Sequence, residues 1–149
     1  MLELIKTDSN NPDFITLIKQ LDSYLKTTDG DDHEFYNQYN GLDNIKHVVV
    51  AYLDKAPVGC GAFKPFKETT IEIKRMFTSK AIRGQGVASN ILHELESWAK
   101  QLDYKHSILE TGIRQIEALQ FYKKCNYQII DNYGQYKDVK ESICFKKAL

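Results

Sequence analysis

No apolar stretch of this sequence approaches the ~18–20 residues that a membrane-crossing helix requires. Neither repeats nor low-complexity tracts nor linkers break it, so its 149 residues are expected to form one domain, 1–149, around one core. The first ten residues, MLELIKTDSN, lack the basic-then-apolar order of a secretory signal. Cysteine is scarce: Cys60, Cys125 and Cys144 are scattered, odd in number and without a CxxC pair. That excludes a disulfide scaffold and a structural zinc site, and points to a reducing, cytoplasmic setting. The four histidines show no metal-ligand spacing, so no metal is expected. A dense Lys/Arg stripe is also missing and net charge is zero, which argues against nucleic acid as a partner.

Charge is present but divided. Residues 1–70 carry seven lysines and no arginine against eleven Asp and Glu, a net of −4; residues 71–149 carry thirteen basic against nine acidic residues, a net of +4. An anionic ligand is favoured near the second half and a cationic one near the first; two plain solvated faces would produce the same split.

The element order reads β-α-α-β-β-β-α-β-α-β-β. LELI (2–5) is a first strand. Asn11, Pro12 and Asp13 open a helix whose Phe14, Leu17, Ile18, Leu21 and Leu25 share a face. HEFYNQYN (33–40) reads as a second helix. KHVVVAYL (46–53), VGCGAFK (58–64) and TTIEIKRMF (69–77) form a meander, with DKAP and PFKE as its turns. Val87, Ile91, Leu95, Trp98, Ala99 and Leu102 follow helical spacing. HSILET (106–111) is a strand, and the next helix carries Ile116, Leu119 and Tyr122 on one face. YQIID and ESICFKKAL close the sheet. The expected architecture is α/β (α+β), a mostly antiparallel sheet of about seven strands flanked by about four helices, with one parallel crossover near 77–106.

The crossover begins with Arg83-Gly84-Gln85-Gly86-Val87-Ala88-Ser89. A helix amino terminus bears unpaired N–H groups and roughly half a positive charge. Gly84 and Gly86 let the chain turn and let an anion reach those amides, and Arg83 adds fixed charge. A pyrophosphate suits such a turn; a plain loop that satisfies its own helix end is the other reading. It is not a P-loop, because no Lys-Ser/Thr follows, and not a dinucleotide fingerprint, because position 89 is serine where a third glycine is needed.

RGQGVA is similar to the Arg/Gln-x-x-Gly-x-Gly/Ala signature of the GCN5-related N-acetyltransferases (GNAT superfamily). EIKRMF before it, LETGIRQIEALQFYKKCNY after it and CFKK at the end stand in the same order and distance as in that superfamily. The likeness spans nearly the whole chain, best from Glu72 to Tyr127. CNY replaces the GY or GF common after the tyrosine helix, and Asn126 can make that left-handed turn.

The resemblance implies acetyl-CoA as acyl donor and acetyl transfer to an amine of a small molecule or peptide. It implies that the amides of Arg83, Gly84, Gln85, Gly86, Val87, Ala88 and Ser89 hold the CoA pyrophosphate. Met76, Phe77 and Thr78 would pair with the pantetheine arm and aim a backbone N–H at the thioester carbonyl. Gln115 would touch the cofactor, and Tyr122 would stand beside the sulfur. On spacing alone Tyr122 reads as a core aromatic on the helix face, like Leu119; the resemblance is what turns it into a functional candidate. Glu72 interrupts Ile71-x-Ile73 and is the expected base, acting through water; as an alternative it pairs with Lys74 or Arg75. Tyr24, His33 and Tyr136 are weaker candidates, and Glu110 is read as support for its strand. The acidic and aromatic stretch TTDGDDHEFYNQY suggests that a cationic amine is received by Asp31 and Phe35, with Tyr24 just before it; an acidic exposed loop that caps a helix is the other reading. A non-catalytic acyl-CoA-binding module and transfer of a longer acyl group remain alternatives. ESICFKKAL is a strand that could pair across a homodimer.

Overall fold

The computed structural model of the chain describes residues 1–29 and 45–149. Its elements are β1 (Leu2–Thr7), α1 (Pro12–Asp29), β2 (His47–Leu53), β3 (Ala56–Lys67), β4 (Thr70–Thr78), α2 (Val87–Gln101), β5 (His106–Gly112), α3 (Ile116–Lys124), β6 (Gln128–Ile130) and β7 (Ser142–Ala148). Single 3-10 turns occupy Lys80–Ile82 and Gly134–Tyr136. The helix expected at 33–40 lies outside the described residues, which therefore hold three α-helices rather than four.

The seven strands form one sheet in the order β1-β2-β3-β4-β5-β7-β6. Every neighbouring pair is antiparallel except β4 and β5, which are joined by the α2 crossover. The unbroken apolar run of β2 is explained by burial on both sides. Val49 and Ala51 meet the α2 and α3 face, together with Phe63, Ile73, Ile91, Leu95 and Phe145. Val48 and Val50 meet Phe14, Leu17, Ile18 and Leu21 of α1. Each fully buried aliphatic side chain contributes about 1.5–3 kcal/mol. Helix α2 packs tightly because a Cβ on Gly61 would lie 2.9 Å from both Ile91 and Leu95.

Several expectations change. Strand β3 runs on through PFK: Pro65 lies past the β2 pairing, which ends at Phe63, and beside an irregularity between Pro65 and Lys67. Proline is tolerated in such a place, so the turn falls at Glu68–Thr69. Ile116 is 63% exposed, so the inward face of α3 is carried by Ala118, Leu119 and Tyr122 instead. Leu102 caps α2 and is 45% exposed. Strand β7 pairs with β5 along its whole length and with the short β6 at Cys144, Phe145 and Lys146, and the sheet ends on β1 and β6.

Candidate acyl-transfer site

The site begins where two strands part. Strand β4 pairs with β5 only through Thr70↔His106, Ile71↔Ser107 and Glu72↔Ile108. Beyond that point β5 stays with β7 along its whole length. Strand β4 instead bulges: Cys60 faces Phe77 and Ala62 faces Lys74, so two steps on β3 match three on β4. Arg75 takes up the extra residue with φ +59, a left-handed conformation that costs a non-glycine residue about 1–2 kcal/mol. It is held by α1, because its Nη1 donates to Asp22 Oδ1 at 2.7 Å. The bulge twists β4 away from β5 and leaves a gap through the sheet.

On one side of the gap lies a cavity of about 410 Å³. Its walls include Met76, Phe77, Thr78, Arg83, Gly84, Gly86, Val87, Ala88, Ser89, Gln115 and Tyr122. Of the residues expected around a cofactor, only Gln85 is not on that wall. Gly84 and Gly86 stand at φ +83 and +80, and a Cβ on either would meet nothing within 4 Å. Gly86 caps α2 without any side-chain bond, and the first bond into the helix is Asn90 N to Gly86 O. Among the described residues, the N–H groups of 84–89 have no acceptor. Helix α1 shows the contrast, since there Asn11 Oδ1 accepts from the amides of Asp13 and Phe14. The turn is thus open, with bare donors and the positive end of α2 directed at the cavity.

Arg83 sits at its rim. Its Nε donates to Thr78 O at 3.0 Å, and its guanidinium carbon lies 5.2 Å from the centre of the Tyr24 ring. Tyr24 therefore belongs to this cavity. Lys124, at the end of α3, adds a cation that the sequence reading missed; the only signal for it was a basic last turn.

Adjoining this cavity is a smaller chamber of about 110 Å³. Leu21, Met76, Gln115, Ala118 and Tyr122 line both spaces, so the two communicate past Tyr122. The Tyr122 ring packs on Phe121 (5.0 Å), Tyr127 (5.8 Å) and Phe145 (6.0 Å). Burial pushes its pKa up, and a neighbouring Cys125 thiolate would add to the effect, so the phenol keeps its proton. The chamber walls add Lys74, Arg75, Glu110 and Thr111.

Glu72 lines neither space. Tyr133 donates to its Oε2 at 2.6 Å, and Lys74 Nζ lies 3.7 Å from the same oxygen. Lys74 also donates to the Tyr136 hydroxyl at 3.3 Å. Burial lowers the Lys74 pKa, while Glu72 and then Glu110 pull it back up. Glu110 accepts from Ser142 Oγ at 2.7 Å. Asp31, His33 and Phe35 lie outside the described residues. The sequence reading missed Arg75, Lys74 and Thr111, because their placement depends on a bulge and a splay that no local pattern marks.

Burial pushes the Cys60 thiol up to about 12 and the Cys144 thiol up to about 11, so both stay protonated and unreactive. Among the described residues no group of His, Cys, Asp or Glu could hold a metal ion, and no helix is long and apolar enough to cross a membrane.

The sequence model of the acetyltransferase (GNAT) family matches residues 13–127. The chain is 29% identical over 142 residues to an IAA acetyltransferase of Azospirillum brasilense, covering 91% of this chain and 90% of that one. It spans about half the length, 49%, of another curated relative that it matches. A solved structure from Klebsiella pneumoniae subsp. pneumoniae, provisionally named an acyl-CoA N-acyltransferase, superposes with a TM-score of 0.84 at 28% identity, covering 100% and 98% of the two chains. A GNAT family acetyltransferase from Elizabethkingia anophelis, solved with acetyl-CoA bound, shares the fold with a TM-score of 0.71 at 21% identity, covering 99% and 98%.

Proposed function

Because the chain belongs to the GNAT acetyltransferase family, we propose that it moves an acetyl group from acetyl-CoA to a primary amine by direct attack on the thioester. The observation that carries this reading is the run of unpaired amides at 84–89, set at the head of α2 on a cavity that leads to Tyr122. Bare amides at a helix start suit a diphosphate. The Met76–Thr78 strand end lies along the same wall and suits the pantetheine arm.

Three chemical needs follow. The tetrahedral oxyanion needs a donor, and this reading assigns that task to a backbone N–H at the Met76–Thr78 end of β4. One such donor is worth ~3–4 kcal/mol in comparable acyl transfer. The departing thiolate needs a proton, and Tyr122 keeps one because burial holds it in the neutral form. The amine must lose a proton. Glu110 lines the chamber and is the carboxylate closest to that task, while Glu72 stands behind Lys74 and acts at one remove. This revises the role given to Glu72, and the reason is its bonds to Tyr133 and Lys74.

The test is CoA release from acetyl-CoA with a panel of amines, wild type against Tyr122→Phe. Turnover that drops in the variant while acetyl-CoA still binds is expected. Tight acetyl-CoA binding with no turnover of any amine would favour a binding module instead.

A further inference from the structure

The helix that carries Tyr122 ends in a bond pattern that ties this tyrosine to Tyr127. Asn126 turns left-handed at φ +72, Tyr127 N donates to Tyr122 O at 3.0 Å, and Asn126 N donates to Lys123 O at 3.1 Å. This is a Schellman end, in which the residue past the left-handed turn packs back on the last helical turn. Here that contact joins the Tyr127 and Tyr122 rings, whose centres lie 5.8 Å apart at 72°. Tyr122 is thus fixed to Tyr127 through both backbone and ring.

Tyr127 is itself anchored in the core. Its hydroxyl donates to Glu96 Oε2 of α2 at 2.8 Å, which leaves Ser107 Oγ of β5, also 2.8 Å away, as the donor to it. Lys147 of β7 donates to Glu96 Oε1 at 3.0 Å and stands over the Tyr127 ring. Burial, and next the Glu96 charge, push the Tyr127 pKa up, so its proton stays in that bond. None of Glu96, Ser107, Tyr127 and Lys147 lines the cavity or the chamber. Replacing a buried ionic cluster by apolar side chains often leaves a fold as stable, so stability alone does not account for this one. What a fully bonded cluster gives is fixed geometry. This one links α2, whose head faces the cofactor cavity, to the tyrosine on that cavity's wall. We propose that Tyr127 is a positioning residue for acetyl transfer: its hydroxyl, clamped between Glu96 and Ser107, holds the Tyr122 phenol at a set distance from a thioester aimed by the head of α2. The inference rests on the acetyl-transfer reading, in which the Tyr122 proton passes to the thiolate as the C–S bond breaks.

The test is a double-mutant cycle of Tyr127→Phe with Tyr122→Phe, read by CoA release from acetyl-CoA with the amine panel. Tyr127→Phe keeps the ring and removes the bonds to Glu96 and Ser107. Alone it is expected to lower kcat about tenfold, the scale of a lost hydrogen bond, and to move the acetyl-CoA KM less than about twofold. On the Tyr122→Phe background no phenol is left to place, and the same change is expected to lower kcat less than about twofold. Ser107→Ala removes only the Ser107 bond and runs the same cycle where Tyr127→Phe does not fold; its expected loss on the wild-type background is about threefold. A cluster that only stabilises the fold would lower the melting temperature and leave the kcat of the folded protein unmoved.

A second readout needs no turnover. The Tyr122 ring signals of protein carrying ¹³C-labelled tyrosine are identified by their loss in Tyr122→Phe. In Tyr127→Phe and Ser107→Ala the Tyr122 ring is expected to flip at least about fivefold faster, because its support is no longer bonded in place. Equal kcat losses on the two backgrounds, or a kcat that Tyr127→Phe leaves unmoved, would overturn the proposal and leave the acetyl-transfer reading standing. So would a Tyr122 ring whose motion neither variant alters. A wild type that turns over no amine would overturn the acetyl-transfer reading, and faster flipping in the variants would still support Tyr127 as the clamp on Tyr122.

Discussion

Tyr122 is held by ring packing, and its hydroxyl has no partner among the described residues. Its pKa is raised, so the O–H persists beyond the ordinary phenol value of about 10. The sign of the pH effect follows: loss of the Tyr122 proton cannot give an alkaline fall in kcat below that value. Tyr122→Phe is expected to lower kcat about a hundredfold at every pH, with acetyl-CoA KM little changed. An alkaline limb present in wild type and absent from the variant would contradict this. Gly86 gives a second residue-level test. A Cβ there meets open space, so Gly86→Ala carries conformational strain without a clash. Stability should fall by about 1–2 kcal/mol in urea unfolding. The acetyl-CoA KM should rise with it, because the turn no longer presents its amides in the same direction.

At the scale of elements, α1 supports the site through one ion pair. The Arg75 side chain is 3% exposed and Asp22 38% exposed. Asp22→Ala strands a buried guanidinium on a strained bulge. The expected loss is about 2–3 kcal/mol, below the ~3–5 of a fully buried pair because water reaches Asp22. Denaturant titration measures it, and a loss near zero would mean that the bulge stands without α1. The open turn at the head of α2 was readable in the sequence because it is local: Gly84, Gly86 and the apolar face of α2 follow one another within a few turns of chain. The lining of the smaller chamber was not. A left-handed arginine has no signature, and no local pattern marks that β4 leaves β5 three residues into their pairing. Glu72 was correctly seen to face away from Ile71 and Ile73, but its partner Tyr133 lies 61 residues away and no periodicity joins them.

Across the whole molecule, the turn that suits a diphosphate falls in the half of the chain with a net charge of +4. Affinity for acetyl-CoA should therefore weaken as salt is raised, since exposed charges are screened beyond about 8 Å at physiological ionic strength. A ligand present at a hundred times its Kd stabilises the fold by about 2.7 kcal/mol, so CoA should raise the melting temperature by roughly 5–10 °C in a protein of this size. The central claim is narrower, namely that the unpaired amides at the start of α2 grip the diphosphate. Titration of ¹⁵N-labelled protein with CoA, read amide by amide, tests it most directly. The signals of Gly84, Gln85, Gly86, Val87, Ala88 and Ser89 should move together and saturate, while those of Asp13 and Phe14, already bonded to Asn11, stay in place. Saturable CoA binding that leaves the 84–89 amides unmoved would contradict it.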